Sequence, residues 1–243
     1  MKTAIITGGA GGIGAAVAQK LCESGYSVAI HYHNAEEKAV ALSSVFTERG
    51  FDAFPVRADL RKSREADAMV QAVIARNGRV DALVNNAGIA KQQLFDTVSD
   101  EQWTDMTGVH LNGTFFCCRA VLPHLLRQKS GAIVNIASMW GQVGASCEVP
   151  YSAAKAGVIG LTKALAKEAA PSGVRVNCVS PGAVRTAMMD AFSPAEIASL
   201  CEEIPMGRLA EPAEIAEAVY FLLSDAASYI TGQVLGINGG MVT

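Results

Sequence analysis

Residues 1–14 read MKTAIITGGAGGIG, and this stretch decides the architecture. A short apolar run, Ala4 to Thr7, passes at once into glycines at 8, 9, 11, 12 and 14. A segment whose apolar positions recur about every 3.6 residues follows, over 12–24. That order predicts a strand, a glycine turn and a helix. A lysine ahead of an apolar run also resembles the start of a secretory leader. Here the run breaks at Thr7 and turns glycine-rich, which suits a strand and loop.

The same alternation continues along the chain. Apolar runs at 27–32, 52–56, 81–85, 131–137, 174–180 and 233–237 are separated by helix-period segments at 35–49, 62–77, 101–128, 151–170 and 212–223. Strands alternating with helices imply βαβ units and a parallel sheet of about seven strands. The runs at 81–85 and 131–137 are apolar almost throughout, as strands covered by helices on both faces should be. No repeat, low-complexity tract or linker interrupts the pattern, so one domain is expected over 1–243.

Composition narrows the function classes. The chain has 243 residues, 50% hydrophobic and 18% charged, with a net charge of −3. This is globular, and nothing in it suggests a nucleic-acid binder, which normally carries a basic excess. No apolar stretch reaches the length of a membrane span. The six cysteines, at 22, 117, 118, 147, 178 and 201, show no CxxC spacing. Neither a metal site nor a redox motif is expected, and a chain with a full core and no disulfide pattern suits a reducing, cytoplasmic compartment.

Ligands of parallel sheets bind beyond the carboxyl ends of the strands. After the first strand, Gly8, Gly9, Ala10, Gly11, Gly12, Ile13 and Gly14 form a glycine loop leading into a helix. Its tight turn and free N–H groups suit a pyrophosphate. After the second strand the chain reads His31-Tyr32-His33-Asn34, with no acid before Glu36. The absence of a ribose-binding carboxylate there favours NADP(H) over NAD(H), with His33 and Asn34 as donors to a 2′-phosphate. Further on, Tyr151 and Lys155 are spaced i, i+4 at the start of a helical segment and so face the same way. An ammonium beside a phenol is expected to lower its pKa and fit it for proton transfer. Ser138 follows the strand at 131–137 and is placed to hold a substrate oxygen. Asn112 lies within an apolar helical pattern, where an amide needs a partner. It is read either as satisfying the backbone or as seating a water next to Lys155.

Taken together, TGxxxGxG at 7–14, Asp59, NNAG at 85–88, Asn112, Ser138, Tyr151-x-x-x-Lys155 and PG at 181–182 resemble the short-chain dehydrogenase/reductase family in order and spacing. The resemblance runs the length of the chain. It implies a Rossmann-type, doubly wound parallel sheet and a catalytic tetrad of Asn112, Ser138, Tyr151 and Lys155. It further implies Lys155 on the nicotinamide ribose, Asp59 and Leu60 near the adenine, and Asn86, Ala87 and Gly88 lining the cleft. Pro181, Gly182, Val184 and Thr186 would lie at the nicotinamide. Gly11 stands where NADP users in the family often have Arg or Lys. A homodimer or homotetramer is implied as well.

The closing stretch GRLAEPAEIAEAVYFLLSDAASYITGQVLGINGG resembles bacterial 3-oxoacyl-[acyl-carrier-protein] reductases, with 187–206 as a substrate lid. Arg127 and Lys129 are the basic residues available to an acyl carrier protein, while Ser172 stands where those enzymes often have Arg. The stretch SMWGQVGASCEVPYSAAK resembles instead the reductases of the 5-aminopentanone group on elongation factor P. There Trp140 and Glu148 would meet a cationic substrate, a carboxylate favouring an amine. The alternative for both residues is packing and a solvated charge. Other readings of the chain are an NAD-linked alcohol or sugar dehydrogenase and a nucleotide-binding module without turnover.

Overall fold

The computed structural model describes residues 1–243, the side chain of Ala191 excepted. Seven strands form one sheet: β1 (Lys2–Ile6), β2 (Tyr26–Tyr32), β3 (Ala53–Arg57), β4 (Ala82–Asn85), β5 (Gly131–Ile136), β6 (Val174–Pro181) and β7 (Val234–Ile237). Their order is β3-β2-β1-β4-β5-β6-β7, and every neighbouring pair is parallel. Each expected strand is present, with ends shifted by one or two residues.

The helices are α1 (Gly12–Glu23), α2 (Glu36–Glu48), α3 (Ser63–Asn77), α4 (Asp100–Thr107), α5 (Gly113–Gln128), α6 (Trp140–Val143), α7 (Val149–Ala169), α8 (Pro194–Glu203) and α9 (Pro212–Leu223). Two apolar clusters lie on opposite faces of the sheet. One joins Ile6, Ile30 and Val84 to Val17, Leu21 and Val219 of α1 and α9. The other joins Ile5, Leu83 and Ile133 to Met69, Val121 and Leu125 of α3 and α5. Successive residues of one strand thus feed opposite cores, which is why the central strands are apolar throughout and not alternating. None of the described helices is long and apolar enough to cross a membrane.

Two features depart from the sequence reading. The segment expected as one helix over 101–128 is broken: α4 runs into a π-helical turn, Gly108–Asn112, before α5 begins. The segment 187–206 contains a 3-10 turn, Ala187–Ala191, followed by α8, whose start is fixed by a reciprocal Ser193–Glu196 capping box. The sheet order reverses between β1 and β4, and a crevice opens beyond their carboxyl ends.

Candidate active site

Both sides of that crevice are tied together by the backbone. Thr7, at the end of β1, accepts the N–H groups of Asn86 and Ala87 on its hydroxyl at 2.8 and 3.0 Å. The Asn86 amide returns donors to the Thr7 and Gly8 carbonyls at 3.0 and 3.1 Å. Gly8 and Gly12 have φ of +62° and +52°, the left-handed region that glycine adopts without cost. A Cβ on Gly14 would lie 2.2 Å from the Gly8 carbonyl oxygen, so only glycine permits α1 to approach the loop this closely. Gly11 has open space around it, so packing does not require glycine there. Ala10 and Ile13 turn inward onto the apolar cluster. The sequence did not mark His31 as part of this loop. It is buried at the end of β2, with Nδ1 accepting the Gly8 N–H at 3.0 Å and Nε2 3.0 Å from the Ala58 carbonyl. Burial depresses its pKa to about 4, so the ring is neutral and able to accept.

Past the ends of β2 and β3, Tyr32 and Leu60 are buried, His33 is half-buried and Asn34 exposed. Asp59 is buried and held by Arg61, whose Nε and Nη2 donate to its two oxygens at 2.9 Å each. These bonds pull its pKa down to about 2. His33 Nε2 lies 3.9 Å from the same carboxylate. Arg61 and Lys62, which carried no role in the sequence reading, are ion-paired here, Arg61 with Asp59 and Asp105 and Lys62 with Asp59 and Glu65.

Beyond β5 the chain places Ser138, Tyr151 and Lys155 together. Ser138 is buried, and its hydroxyl accepts the Trp140 N–H at 3.2 Å. Pro150 in the first turn of α7 fixes the helix start, and Tyr151 follows it. One turn on, Lys155 is buried with Nζ donating to the Ile136 carbonyl at 2.6 Å and lying 5.6 Å from the centre of the Tyr151 ring. Gly141 of α6 permits the contact behind it, since a Cβ there would stand 2.8 Å from the Lys155 backbone. Below the site, Asn85 donates to Asn135 at 2.8 Å and Asn135 to Thr162 at 2.9 Å, which joins β4, β5 and α7 through buried amides.

The electrostatics reverse one expectation. Tyr151 is not brought toward neutrality: burial pushes its pKa up to about 12, Ser138 acts in the opposite sense, and the Glu148 carboxylate adds to the rise. Burial is also the largest cause of the Lys155 pKa falling to about 8. Desolvation disfavours the charged form of each group and is the largest influence on both. The site holds a protonated phenol, which is the form needed to give a proton away.

Asn112 does not join this group. It is exposed, two residues past the point where the π turn faces the cleft, and a helical step of two residues points a side chain nearly the opposite way. In its stead His110 faces inward, buried and packed edge-on against the Tyr151 ring at 5.1 Å. The helical period conceals the π turn, so the sequence alone does not show that His110 turns inward here and Asn112 outward.

Trp140 begins α6, and Glu148 immediately precedes α7, where its Oε1 accepts the Gln92 amide at 3.0 Å. Both lie half-buried on the loop joining Ser138 to Tyr151. Pro181 accepts the Met139 N–H at 2.9 Å. Gly182 packs against Asn238, where a Cβ would lie 2.9 Å from its Cα. Val184 is buried in a bridge to Ala210, and Thr186 returns over the glycine loop, its methyl 3.2 Å from where a Gly12 Cβ would stand. Arg127 and Lys129 lie at the other end of the sheet, just before β5 begins, so within one chain they are remote from the cleft.

A family model described as enoyl-(acyl carrier protein) reductase matches residues 8–242. A 3-oxoacyl-[acyl-carrier-protein] reductase of Staphylococcus aureus is 42% identical over 240 residues, covering 99% of this chain and 98% of the relative. The chain belongs to the short-chain dehydrogenase/reductase family. Its like-named relative in Chlamydia trachomatis is 39% identical over 99% of this chain and 97% of its own length. An uncharacterized oxidoreductase of Bacillus subtilis, YmfI, is 45% identical over 98% of each.

As a member of the short-chain dehydrogenase/reductase family the chain is an NAD(P)-dependent oxidoreductase acting between alcohol and carbonyl groups. The crevice fits such a dinucleotide: Gly8 and Gly12 adopt the positive φ of a tight turn, Gly14 lets α1 close on that turn, and the first turn of α1 has no side-chain cap on its N–H groups.

Proposed function

We propose that this chain is an NADPH-dependent ketone reductase, closest in action to a 3-oxoacyl-[acyl-carrier-protein] reductase. The observation that carries the reading is the grouping of Tyr151 with Ser138 and Lys155 beyond the carboxyl end of β5, beside the glycine-loop crevice. The loop and Thr186 would hold the cofactor, Asp59, Leu60 and Tyr32 its adenosine half, and Val184 with Pro181 and Gly182 its nicotinamide end. Asn86, Ala87 and Gly88 would line the cleft between them. The bound cofactor supplies a hydride to the carbonyl carbon. Ser138 receives the carbonyl oxygen in a hydrogen bond, and Tyr151 gives that oxygen its proton as negative charge develops there. Lys155, charged at neutral pH, stabilises the phenolate left behind.

NADPH as the cofactor is supported by the absence of an acid before Glu36 at the end of β2, with His33 and Asn34 as donors to a 2′-phosphate. Reduction of acetoacetyl carrier protein, followed as loss of NADPH absorbance, tests the whole reading. kcat/KM should be at least tenfold higher with NADPH than with NADH, and a preference for NADH would reverse the cofactor assignment. A cytoplasmic location goes with this reading. So does a dimer or tetramer, with Trp103 and Phe115 exposed on α4 and α5 as the faces such contacts would cover.

A second reading is favoured by Glu148, whose charge already bears on Tyr151. A carboxylate at the mouth, with Trp140 beside it, would select a ketone carrying an amine, such as aminopentanone-modified elongation factor P. Glu148→Gln should then lower kcat/KM for a cationic ketone roughly tenfold and leave a neutral ketoester almost unaffected. Equal losses on the two substrates would eliminate the cationic reading.

A further inference from the structure

Two successive peptide planes at the start of the glycine loop, Thr7–Gly8 and Gly8–Gly9, are each held at both ends. On the carbonyl side, the Asn86 amide donates to the Thr7 and Gly8 oxygens at 3.0 and 3.1 Å. On the N–H side, both donors go to one residue, His31. Gly8 donates to ring Nδ1 at 3.0 Å, and Gly9 to the main-chain carbonyl, also at 3.0 Å. Three of these four bonds use Asn86 or a main-chain oxygen and do not depend on which side chain stands at 31. The fourth does. The Gly8 N–H has no other hydrogen bond among the described residues, so its acceptor must come from the side chain at 31.

The same bond fixes the tautomer. A backbone N–H can only donate, so Nδ1 is bare and the ring proton is on Nε2. Nε2 stands 3.0 Å from the Ala58 carbonyl just past β3 and donates to it. The ring is 2% exposed, and burial keeps it neutral, its pKa down to about 4. An imidazolium would set an Nδ1–H against the Gly8 N–H, and an apolar side chain would leave that N–H unpaired.

The pinned planes fix where α1 begins. Gly8 has φ +62°, and a Cβ there would lie 2.9 Å from the Ala87 Cα. The start of α1 rests on the Gly8 carbonyl, since a Gly14 Cβ would lie 2.2 Å from that oxygen. The uncapped N–H groups of the first turn of α1 therefore take their place from the Gly8 peptides. Releasing the first plane frees the Gly8 φ, and the anion-binding end of the helix loses its fixed position.

We propose that His31 is a positioning residue for the dinucleotide: by accepting the Gly8 N–H on Nδ1 it locks the glycine loop into the shape that receives the pyrophosphate. Without the lock the loop must be ordered at the expense of binding, and affinity falls. The proposal rests on the dinucleotide chemistry of the family and is independent of which ketone is reduced.

Two amides separate the two bonds of the ring. His31→Asn puts an acceptor at the place of Nδ1 and gives up Ala58. His31→Gln reaches the place of Nε2, keeps a donor for Ala58 and gives up Gly8. NADPH and NADH are each titrated into the cofactor-free proteins, and Kd is compared for the one that wild type binds more tightly. Kd within about threefold of wild type is expected for His31→Asn, and at least tenfold higher for His31→Gln. KM for that cofactor should follow Kd, with kcat changing far less. Equal rises in the two variants, or the larger rise in His31→Asn, would reduce His31 to a strut between β2 and β3.

Hydrogen exchange of the Gly8 amide, followed by NMR without cofactor, gives a readout independent of turnover. It should be slow in wild type and His31→Asn and at least tenfold faster in His31→Gln, with the β1 amides unchanged. An unchanged Gly8 rate in His31→Gln overturns the proposal. Nitrogen NMR of the wild-type imidazole should show a proton on Nε2 and a bare Nδ1, and a proton on Nδ1 overturns the proposal even if neither variant folds. A protein that reduces no ketone while these results hold would count against the reductase reading alone.

Discussion

Tyr151→Phe should lower kcat for ketone reduction by roughly a thousandfold while the affinity for NADPH stays within about twofold. Removing a positioned general acid typically costs a factor of 10² to 10⁴, and the upper part of that range is expected here because no other buried acid is placed to substitute. His110 is held neutral by burial and meets the Ile89 backbone through Nε2, while the Ser138 hydroxyl is a far weaker acid than a phenol. The ring itself stays in the variant, so the edge contact with His110 and the packing of α7 persist. The wild-type pH profile follows from the same groups. The phenol holds its proton to about 12 and Lys155 to about 8. Reduction should therefore be level through neutral pH and decline above about 8, as the ammonium that stabilises the phenolate is lost. Steady-state rates from pH 6 to 10 and titration of cofactor fluorescence with both proteins make the check. A variant within tenfold of wild type would remove the proton-donor role, whereas one that no longer binds NADPH would show that the phenol serves the cofactor site.

The architecture was written in local patterns that act within a few residues. AIIT followed by glycines, the continuous apolar runs and the 3.6-residue periods each reflect one element and its cover, so seven strands and their parallel order were readable. Tyr151, Lys155 and Ser138 were readable for the same reason, since an i, i+4 pair and a residue just past a strand need only local geometry. Failure came where the signal is a distortion of the repeat. GVHLN over 108–112 keeps its apolar spacing while inserting one extra residue into the turn, so nothing in the pattern shifts attention from Asn112 to His110. His31 escaped notice because its partner, the Gly8 N–H, is brought to it by the pairing of β1 and β2, and Arg61 because the spacing Asp59-Leu60-Arg61 does not by itself say that the two side chains turn toward each other. The Tyr151 pKa went the wrong way because sequence spacing reports which charges are near but not how much water has been excluded, and exclusion dominates here.

Exclusion of water also makes Lys155 costly to the fold. Lys155→Met should abolish measurable reduction and at the same time raise the thermal midpoint at pH 7 by several degrees. Burial lowers the lysine from 10.5 to about 8, and at 1.36 kcal/mol per unit that is a penalty of about 3 kcal/mol for carrying the charge in the folded state. Methionine has nearly the same shape and needs no solvation. It forfeits the bond to the Ile136 carbonyl, a loss of roughly 1 kcal/mol, so the balance favours the variant by about 2 kcal/mol, and each kcal/mol moves the midpoint of a chain this size by roughly 2–4 °C. Below pH 8 both folded and unfolded wild-type chains hold the proton, and the penalty is present in full. Between about 8 and 10.5 the unfolded chain holds it and the folded chain does not, so wild-type stability rises with pH relative to the variant. The gap in midpoint should thus be constant up to pH 7.5 and close progressively by about pH 10.5. A variant less stable than wild type at pH 7, or a gap indifferent to pH, would mean that the lysine is solvated in the folded protein. A residue that destabilises the fold in the state that matters is retained only for what its charge does, and of the groups beside it, His110, Cys178 and Tyr151, the phenol one turn away is the one that gives up a proton in the proposed reaction.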